Sequence, residues 1–122
     1  MAAITPLSRD VLKLNEGKEI TITSKSAAFA VDAKGGDYKI LLMFANAGQN
    51  DATATIAVGD GVQGIGADLV ITVKAGKTVG AVLDSGYFKF VNDGTNANGG
   101  YRHCFKITPS AALSVSAIEL PQ

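Results

Sequence analysis

Apolar and polar residues alternate with a period of two along most of the chain, which predicts strands that bury one face. The clearest runs lie at residues 69–74 and 78–84. Between them, Lys74-Ala75-Gly76-Lys77 is expected to form a hairpin loop, in which glycine supplies a backbone conformation that other residues resist. The two runs therefore predict a β-hairpin with one apolar face, which a second sheet must cover.

Shorter alternating runs predict further strands elsewhere in the chain. In residues 19–24 the isoleucines are expected to point inward and the threonines outward. The other short runs are at residues 27–31, 52–58, 87–91 and 103–108.

Two segments depart from simple alternation. Residues 38–46 are apolar at consecutive positions, which predicts a central strand covered on both faces. A buried helix is the competing interpretation, but the flanking glycines and the short length favour a strand. In residues 112–120 the apolar positions change face after Ala117, which predicts a bulge or a strand that changes sheets.

Eight or nine short strands without a helical signal predict an all-β fold, an antiparallel β-sandwich of jelly-roll or immunoglobulin-like type. Residues 1–18 are expected to form an extended N-terminal arm with a brief strand at 11–14, and residues 19–122 a single sandwich domain. The predicted core comprises Ile20, Ile22, Ile40, Leu42, Phe44, Ile56, Leu69, Ile71, Val73, Val79, Leu83, Phe88, Phe90, Phe105 and Ile107.

Composition narrows the range of functions. The 122 residues carry 11 basic and 11 acidic side chains without a basic block, which argues against nucleic acid as a partner. Only 18% of residues are charged, which is consistent with a surface packed against other proteins or with an ordinary secreted β-domain. No apolar run approaches the ~20 residues that span a bilayer, and no signal peptide is evident. We therefore expect a soluble protein made in the cytosol, with no membrane partner.

Nucleotide-binding motifs are present only in part. Residues 59–64 fit the GxGxxG pattern and Asp84 follows about twenty residues later, but a helix must open at the third glycine, and a strand follows here instead. Gly76-Lys77-Thr78 resembles the end of a phosphate-binding loop, yet the position of the first glycine is Ile71. Both segments are therefore expected to be ordinary loops.

Metal and catalytic signals are equally incomplete. The segment 96–99 resembles part of a calcium loop, but Gly94 and Phe105 would occupy ligand positions that need a carboxylate. His103 and Cys104 are adjacent on a predicted strand and so point to opposite faces. We therefore expect no enzymatic activity, no catalytic residue, no cofactor and no metal. The aspartates are expected mainly at turns, namely Asp32, Asp37, Asp60, Asp84 and Asp93.

The C-terminal two-thirds of the chain resembles small β-sandwich structural proteins from the head gene clusters of tailed bacteriophages. The resemblance rests on the glycine-rich GDGVQGIGADL loop, the Gly76-Lys77-Thr78 turn, the Leu83-Asp84-Ser85-Gly86 turn and the C-terminal Ala-Ile-Glu-Leu-Pro. It implies a virion structural protein that is synthesised in the host cytoplasm and decorates or cements the capsid surface. Its implied partners are the major capsid protein lattice and neighbouring copies of itself, and no functional residue can be transferred.

Two other functions remain open. A carbohydrate-binding β-sandwich module would stack sugars on aromatic rings, for which this tryptophan-free chain offers Tyr38, Tyr87 and Tyr101. A tail or fibre subunit of the same virion would differ only in where it docks. The arm, one end of the sandwich and the loops at 59–68 and 92–100 are the expected contact regions. The sequence does not decide between a monomer and a trimer.

Overall fold

The fold is that of a computed structural model, which describes residues 7–33, 40–58, 67–83, 88 and 104–121. The described chain forms nine strands and essentially no helix. They are β1 (Asp10–Val11), β2 (Thr23–Lys25), β3 (Phe29–Asp32), β4 (Ile40–Ala45), β5 (Ala52–Ile56), β6 (Leu69–Val73), β7 (Thr78–Val82), β8 (Cys104–Pro109) and β9 (Leu113–Glu119).

The strands form two sheets that pack face to face. Sheet I has the order β1-β9-β4-β7, and β2 also pairs with β9; sheet II has the order β3-β8-β5-β6. Every pairing between strands is antiparallel except the short parallel pair of β1 with β9. The predicted all-β sandwich is therefore confirmed.

The pairing is nested, because β2 pairs with β9, β3 with β8, β4 with β7 and β5 with β6. The chain thus forms one long antiparallel ribbon that folds over on itself, crossing between the sheets as it goes. This is the jelly-roll arrangement rather than the immunoglobulin-like one.

The predicted hairpin of residues 69–84 is wrong. Strand β6 pairs with β5 in sheet II, whereas β7 pairs with β4 in sheet I. The backbone N–H of Lys77 donates to the carbonyl of Lys74 (3.0 Å), and Gly76 has a φ of +75°, as a type II turn requires at its third position. The turn therefore carries the chain from one sheet to the other.

The hairpin at the tip of the ribbon is instead formed by β5 and β6. At the base of its loop, the N–H of Val58 donates to Oδ1 of Asp68 (2.8 Å). The glycine-rich residues 59–66 of that loop lie outside the described residues. This loop, and not the Lys74–Lys77 turn, reverses the ribbon.

Most of the predicted core is buried between the sheets. Ile71 and Val79 are partly buried against it, as is Phe88, whose backbone is helical rather than extended as predicted; Phe90 lies outside the described residues. The predicted residues that are buried are Ile40, Leu42, Phe44, Ile56, Val73, Leu83, Phe105 and Ile107.

Two core assignments are wrong and one is partly so. Ile22 is 67% exposed because the pairing of Thr23 with Val115 turns the threonine inward and leaves the isoleucine outside. Leu69 is 37% exposed at the outer end of edge strand β6. Ile20 is only half-buried, and it lies before β2 rather than within a strand.

Strands β4 and β9 also correct the sequence interpretation. β4 is central, between β9 and β7, but only its Ile40, Leu42 and Phe44 face is fully buried. The register of β9 with β4 runs without a break from Ser114 to Glu119, so the predicted bulge or change of sheet is wrong. Ile118 is buried on the outer side of sheet I instead.

A buried asparagine stabilises the corner of the sandwich where the β4–β5 and β6–β7 connections both cross from one sheet to the other. Asn46 is 4% exposed, and its Nδ2 donates to the carbonyls of Asn50 (2.8 Å) and Val73 (2.9 Å). Its Oδ1 accepts from the N–H of Gly48 (2.9 Å). Its backbone N–H donates to Lys77 and its carbonyl accepts from Gly76, so one residue ties both crossings together.

The described part of the predicted arm is attached to the sandwich. Leu7 bridges to Val31 of β3, and β1 pairs with β9. Arg9 lies between them, donating from Nε to Oε1 of Glu119 and from Nη1 to the carbonyl of Asp32 (3.0 Å). Arg9 therefore links sheet I to sheet II at this edge.

Replacing Asn46 by alanine is expected to lower the free energy of unfolding by about 2–4 kcal/mol, because the buried carbonyl of Val73 loses its donor. Asn46→Asp keeps the acceptor for Gly48 but loses both donated bonds, so it should be at least as destabilising. Gln49→Ala, on the exposed loop beside it, should stay within about 0.5 kcal/mol. Urea unfolding measures all three, and a wild-type midpoint for Asn46→Ala would contradict the assigned role.

Replacing Arg9 by alanine is expected to cost about 1–3 kcal/mol, because a part-buried pair loses its cation and the Asp32 carbonyl loses a donor. Arg9→Lys should recover only part of this loss, since an ammonium lacks the planar fork that reaches both sheets. Lys13→Ala in the exposed neighbouring loop is the control. Equal thermal stability of Arg9→Ala and Lys13→Ala would refute the link.

Candidate interaction surface

The outer face of sheet I carries no charged side chain on its three long strands. Alternation turns every second residue of β4, β7 and β9 away from the core. The pairing aligns these residues in three rows, which are Ile118–Leu41–Val82, Ser116–Met43–Gly80 and Ser114–Ala45–Thr78. We call these nine residues the uncharged face.

The rows differ in character from one end of the face to the other. The Ile118–Leu41–Val82 row is entirely aliphatic, the middle row places Met43 between a serine and a glycine, and the last row is small and polar. A sheet face in contact with water normally carries polar and charged side chains. The gradient thus concentrates apolar surface at one end.

A shallow groove of about 420 Å³ crosses the uncharged face. Ile20 and Ile22, from the segment that leads into β2, line it together with Met43 and Ile118. Ile22 is largely exposed, so the groove has an apolar wall that the described chain does not cover. An aliphatic or aromatic side chain of a partner is the chemical match for such a lining.

The outer face of sheet II is different in kind. Its exposed part carries four threonines and Val70 (57% exposed), and Asp32 and Lys106 add charge, while Ala30 and Cys104 on the same side are buried. The register places these threonines side by side across β8, β5 and β6, at Thr108, Thr55, Thr53 and Thr72. This face has the polar character expected of a hydrated sheet.

A second exposed feature is the loop that joins β1 to β2. Oδ2 of Asp10 accepts from the N–H of Thr21 (2.7 Å), which closes the loop at its base. Leu14 projects from it with 71% of its surface exposed, and Asn15 adopts a positive φ of 61°. Compact loops of this kind frequently mediate contacts.

A second pocket lies beside the Asn46 corner. It has a volume of about 350 Å³ and is lined by Asn46, Asn50, Asp51, Ser24 and Ser114 among others. Alanines and Leu113 complete its lining, and among the described residues no aromatic ring contributes to it. It therefore lacks the stacking platform that a sugar site would offer.

The structure brings no reactive set together among the described residues. No group of three or more metal-ligating side chains occurs there. Cys104 is buried on β8 and forms no disulfide with a described residue. Lys77 and Thr78 belong to the cross-over turn and to the start of β7.

Several candidate residues lie outside the described part of the chain. These are the 59–64 glycine motif, Asp84, the 96–99 segment, His103, Asp37, Asp60, Asp93, Tyr38, Tyr87 and Tyr101. Asp32 is the last residue of β3, rather than part of a turn, and pairs with Arg9. Within the described ranges, no helix is long and apolar enough to span a bilayer.

Comparison of the chain with protein-family models, curated proteins and solved structures finds no significant match. The fold and its surfaces therefore carry the functional argument.

The uncharged face was only partly visible in the sequence. The doubly apolar run at 38–46 marked Leu41 and Met43 as unusual, but it suggested that other parts of the chain would cover them. The serines of β9 and Gly80 join the face only through the register of β9, β4 and β7. That register depends on long-range pairing that alternation alone does not specify.

Lysine substitutions can distinguish the exposed from the buried residues that line the groove on the uncharged face. Ile22→Lys should change the free energy of unfolding by less than about 1 kcal/mol, because most of the side chain is in water. Ile118→Lys should cost more than about 2 kcal/mol, because Ile118 is only 6% exposed and an ammonium there loses most of its hydration. Chemical denaturation compares them, and an Ile22→Lys loss as large as that of Ile118→Lys would contradict the exposed groove.

Proposed function

We propose that the protein is a non-enzymatic structural component of a tailed bacteriophage virion, a capsid decoration protein that docks on the major capsid protein lattice. The observation that supports this is the uncharged face of sheet I, with its apolar groove beside Ile22. The resemblance of the glycine-rich loop and of the adjacent turns to head structural proteins gives the proposal its direction. The fold is compatible with it, because jelly rolls occur in viral capsid proteins.

The contrast between the two sheets favours one docking orientation. The threonine-rich face of sheet II can stay hydrated, whereas Leu41, Met43 and Val82 gain by leaving water. We therefore assign the coat-facing side to sheet I and the solvent-facing side to sheet II. This replaces the end of the sandwich that the sequence suggested as the docking region.

The size of the face sets the strength of a single contact. From strand spacing and rise, nine residues on three strands cover on the order of 250 Å², against the ~800 Å² per partner of a standard interface. Because Ile118 and Ser116 are already buried and Ser114 and Thr78 are polar, burying the face gains less than the ~6 kcal/mol of a wholly apolar patch of that size. That gain does not outweigh the ~4–15 kcal/mol cost of association. Stable attachment therefore needs an additional contact or repetition over a symmetric lattice.

A carbohydrate-binding module is the second candidate, since lectin domains also adopt jelly rolls. The pocket at Asn46 is its most suitable location among the described residues, but they give that pocket no ring on which a pyranose could stack. A tail or fibre subunit would use the same uncharged face against another virion protein. The uncharged, partly apolar face favours a protein partner over a sugar.

Capsid co-sedimentation tests the docking face. Shells assembled from the major capsid protein of the same genome are incubated with wild type, Ile22→Lys and Val70→Lys. Ile22→Lys places an ammonium in the groove and should weaken binding at least about tenfold, or ~1.4 kcal/mol. Val70→Lys makes a similar change at a similarly exposed position on sheet II and should bind within about twofold of wild type.

The opposite ranking of the two variants would reject the assigned face. No binding by wild type, or a genome that encodes no capsid protein, would reject the capsid proposal itself and favour the sugar-binding alternative. Deleting residues 2–6 tests the arm separately, because it leaves Leu7 and Arg9 in place. Unchanged affinity of that deletion would show that these residues take no part in docking.

A further inference from the structure

Strand β7 is an edge of sheet I. Among the described residues, it pairs only with β4. Its sequence, Thr-Val-Gly-Ala-Val, contains no charge and no proline. Natural edge strands normally carry such features because an unprotected edge offers free backbone groups to another strand.

The direction of the free backbone groups follows from one hydrogen bond. The N–H of Asn46 donates to the carbonyl of Lys77, which are opposite residues in the continuation of the β4–β7 register. Hydrogen-bonded pairs alternate along an antiparallel ladder, so Val79 and Ala81 direct their N–H and C=O groups to β4. Thr78, Gly80 and Val82 direct theirs away from the sheet.

The apolar core is also only partly covered on the side of the sandwich where β6 and β7 lie. Val79 and Ala81 point toward sheet II but are only half-buried, whereas the equivalent residues of β4 and β9 are fully buried. In sheet II, Ile71 is half-buried and Leu69 is exposed on edge strand β6. The side of the sandwich formed by β6 and β7 therefore presents both backbone groups and apolar side chains.

We propose that β7 pairs antiparallel with β7 of a second copy of this chain, about a two-fold axis at Gly80. In this register Gly80 pairs with Gly80 and Thr78 with Val82, so every outward N–H and C=O of the strand finds a partner. Lys77 falls opposite Leu83 rather than opposite the other Lys77, and no like charges meet. The half-buried side chains of β6 and β7 gain cover from the second sandwich.

We infer that the partner of the β7 edge is a second copy of this chain, because β7 is complementary to itself in an antiparallel pair. An isologous contact needs a surface that is complementary to itself, and β7 is uncharged, centred on a glycine and in the correct hydrogen-bonding phase at that glycine. The pairing joins the two copies of sheet I and leaves both uncharged faces on the same side. The dimer is independent of capsid binding, so its test does not depend on the proposed function.

Sedimentation equilibrium of the full chain, over a series from micromolar to millimolar concentration, is the direct test. Wild type should approach twice the monomer mass of 12.5 kDa. Gly80→Pro should sediment as a monomer, because proline removes an outward N–H and blocks the edge while the ladder with β4 keeps its bonds. Gly80→Ala is the matched control, since it adds a Cβ 3.4 Å from Cδ1 of Leu41 but retains the N–H.

Circular dichroism establishes whether each variant is folded, and Val82→Pro, which removes another outward N–H, serves if Gly80→Pro is not. A dimer in wild type and Gly80→Ala, with a folded monomer in a proline variant, supports the proposal. A monomer or a trimer of wild type overturns it. A dimer that both folded proline variants retain also overturns it, because the contact would then lie elsewhere.

Discussion

The structure depends on a constraint at the corner where two strands of one ribbon must change sheets together. β4 leads into β5 and β6 leads into β7 at the same end of the sandwich, so two crossings share a small space. Asn46 lies on the β4–β5 crossing, where its side chain bonds Asn50 and Gly48. It also bonds Val73, Gly76 and Lys77 on the β6–β7 crossing. Without those bonds, buried backbone groups would face the core unpaired, which costs more than the turns could recover locally.

The two sheets differ in their outer faces, although one ribbon supplies strands to both. In both sheets, alternate residues of each strand point to opposite faces, so each sheet has one buried and one outward set of side chains. In sheet II the exposed part of the outward set is mainly threonine with charge, while Ala30 and Cys104 on that side are buried. In sheet I it is aliphatic, small or uncharged, and Ile20 and Ile22 extend it beyond β9. The two sheets thus differ in their outer faces and not in their inner ones, because both contribute apolar side chains to the core.

Alternation predicted the fold class and most of the core because it reports which face of a strand is apolar. It did not predict which strands pair. The Lys74–Lys77 turn suits a hairpin and a crossing equally well, since Gly76 supplies the positive φ in either case. Ile22 was assigned to the wrong face because the register with β9, and not local hydrophobicity, orients β2. Asn46 resembles a loop residue in sequence, and only the fold reveals its burial.

We propose that the uncharged face of sheet I is the side that meets the capsid. The most direct measurement is an electron cryo-microscopy map of shells of the major capsid protein from the same genome, decorated with this chain. If sheet I is the docking side, the map shows the sandwich on the outer shell, with Leu41, Met43 and Ile22 against the coat and the threonines of sheet II toward solvent. A map with sheet II against the coat, or without added density, would contradict it.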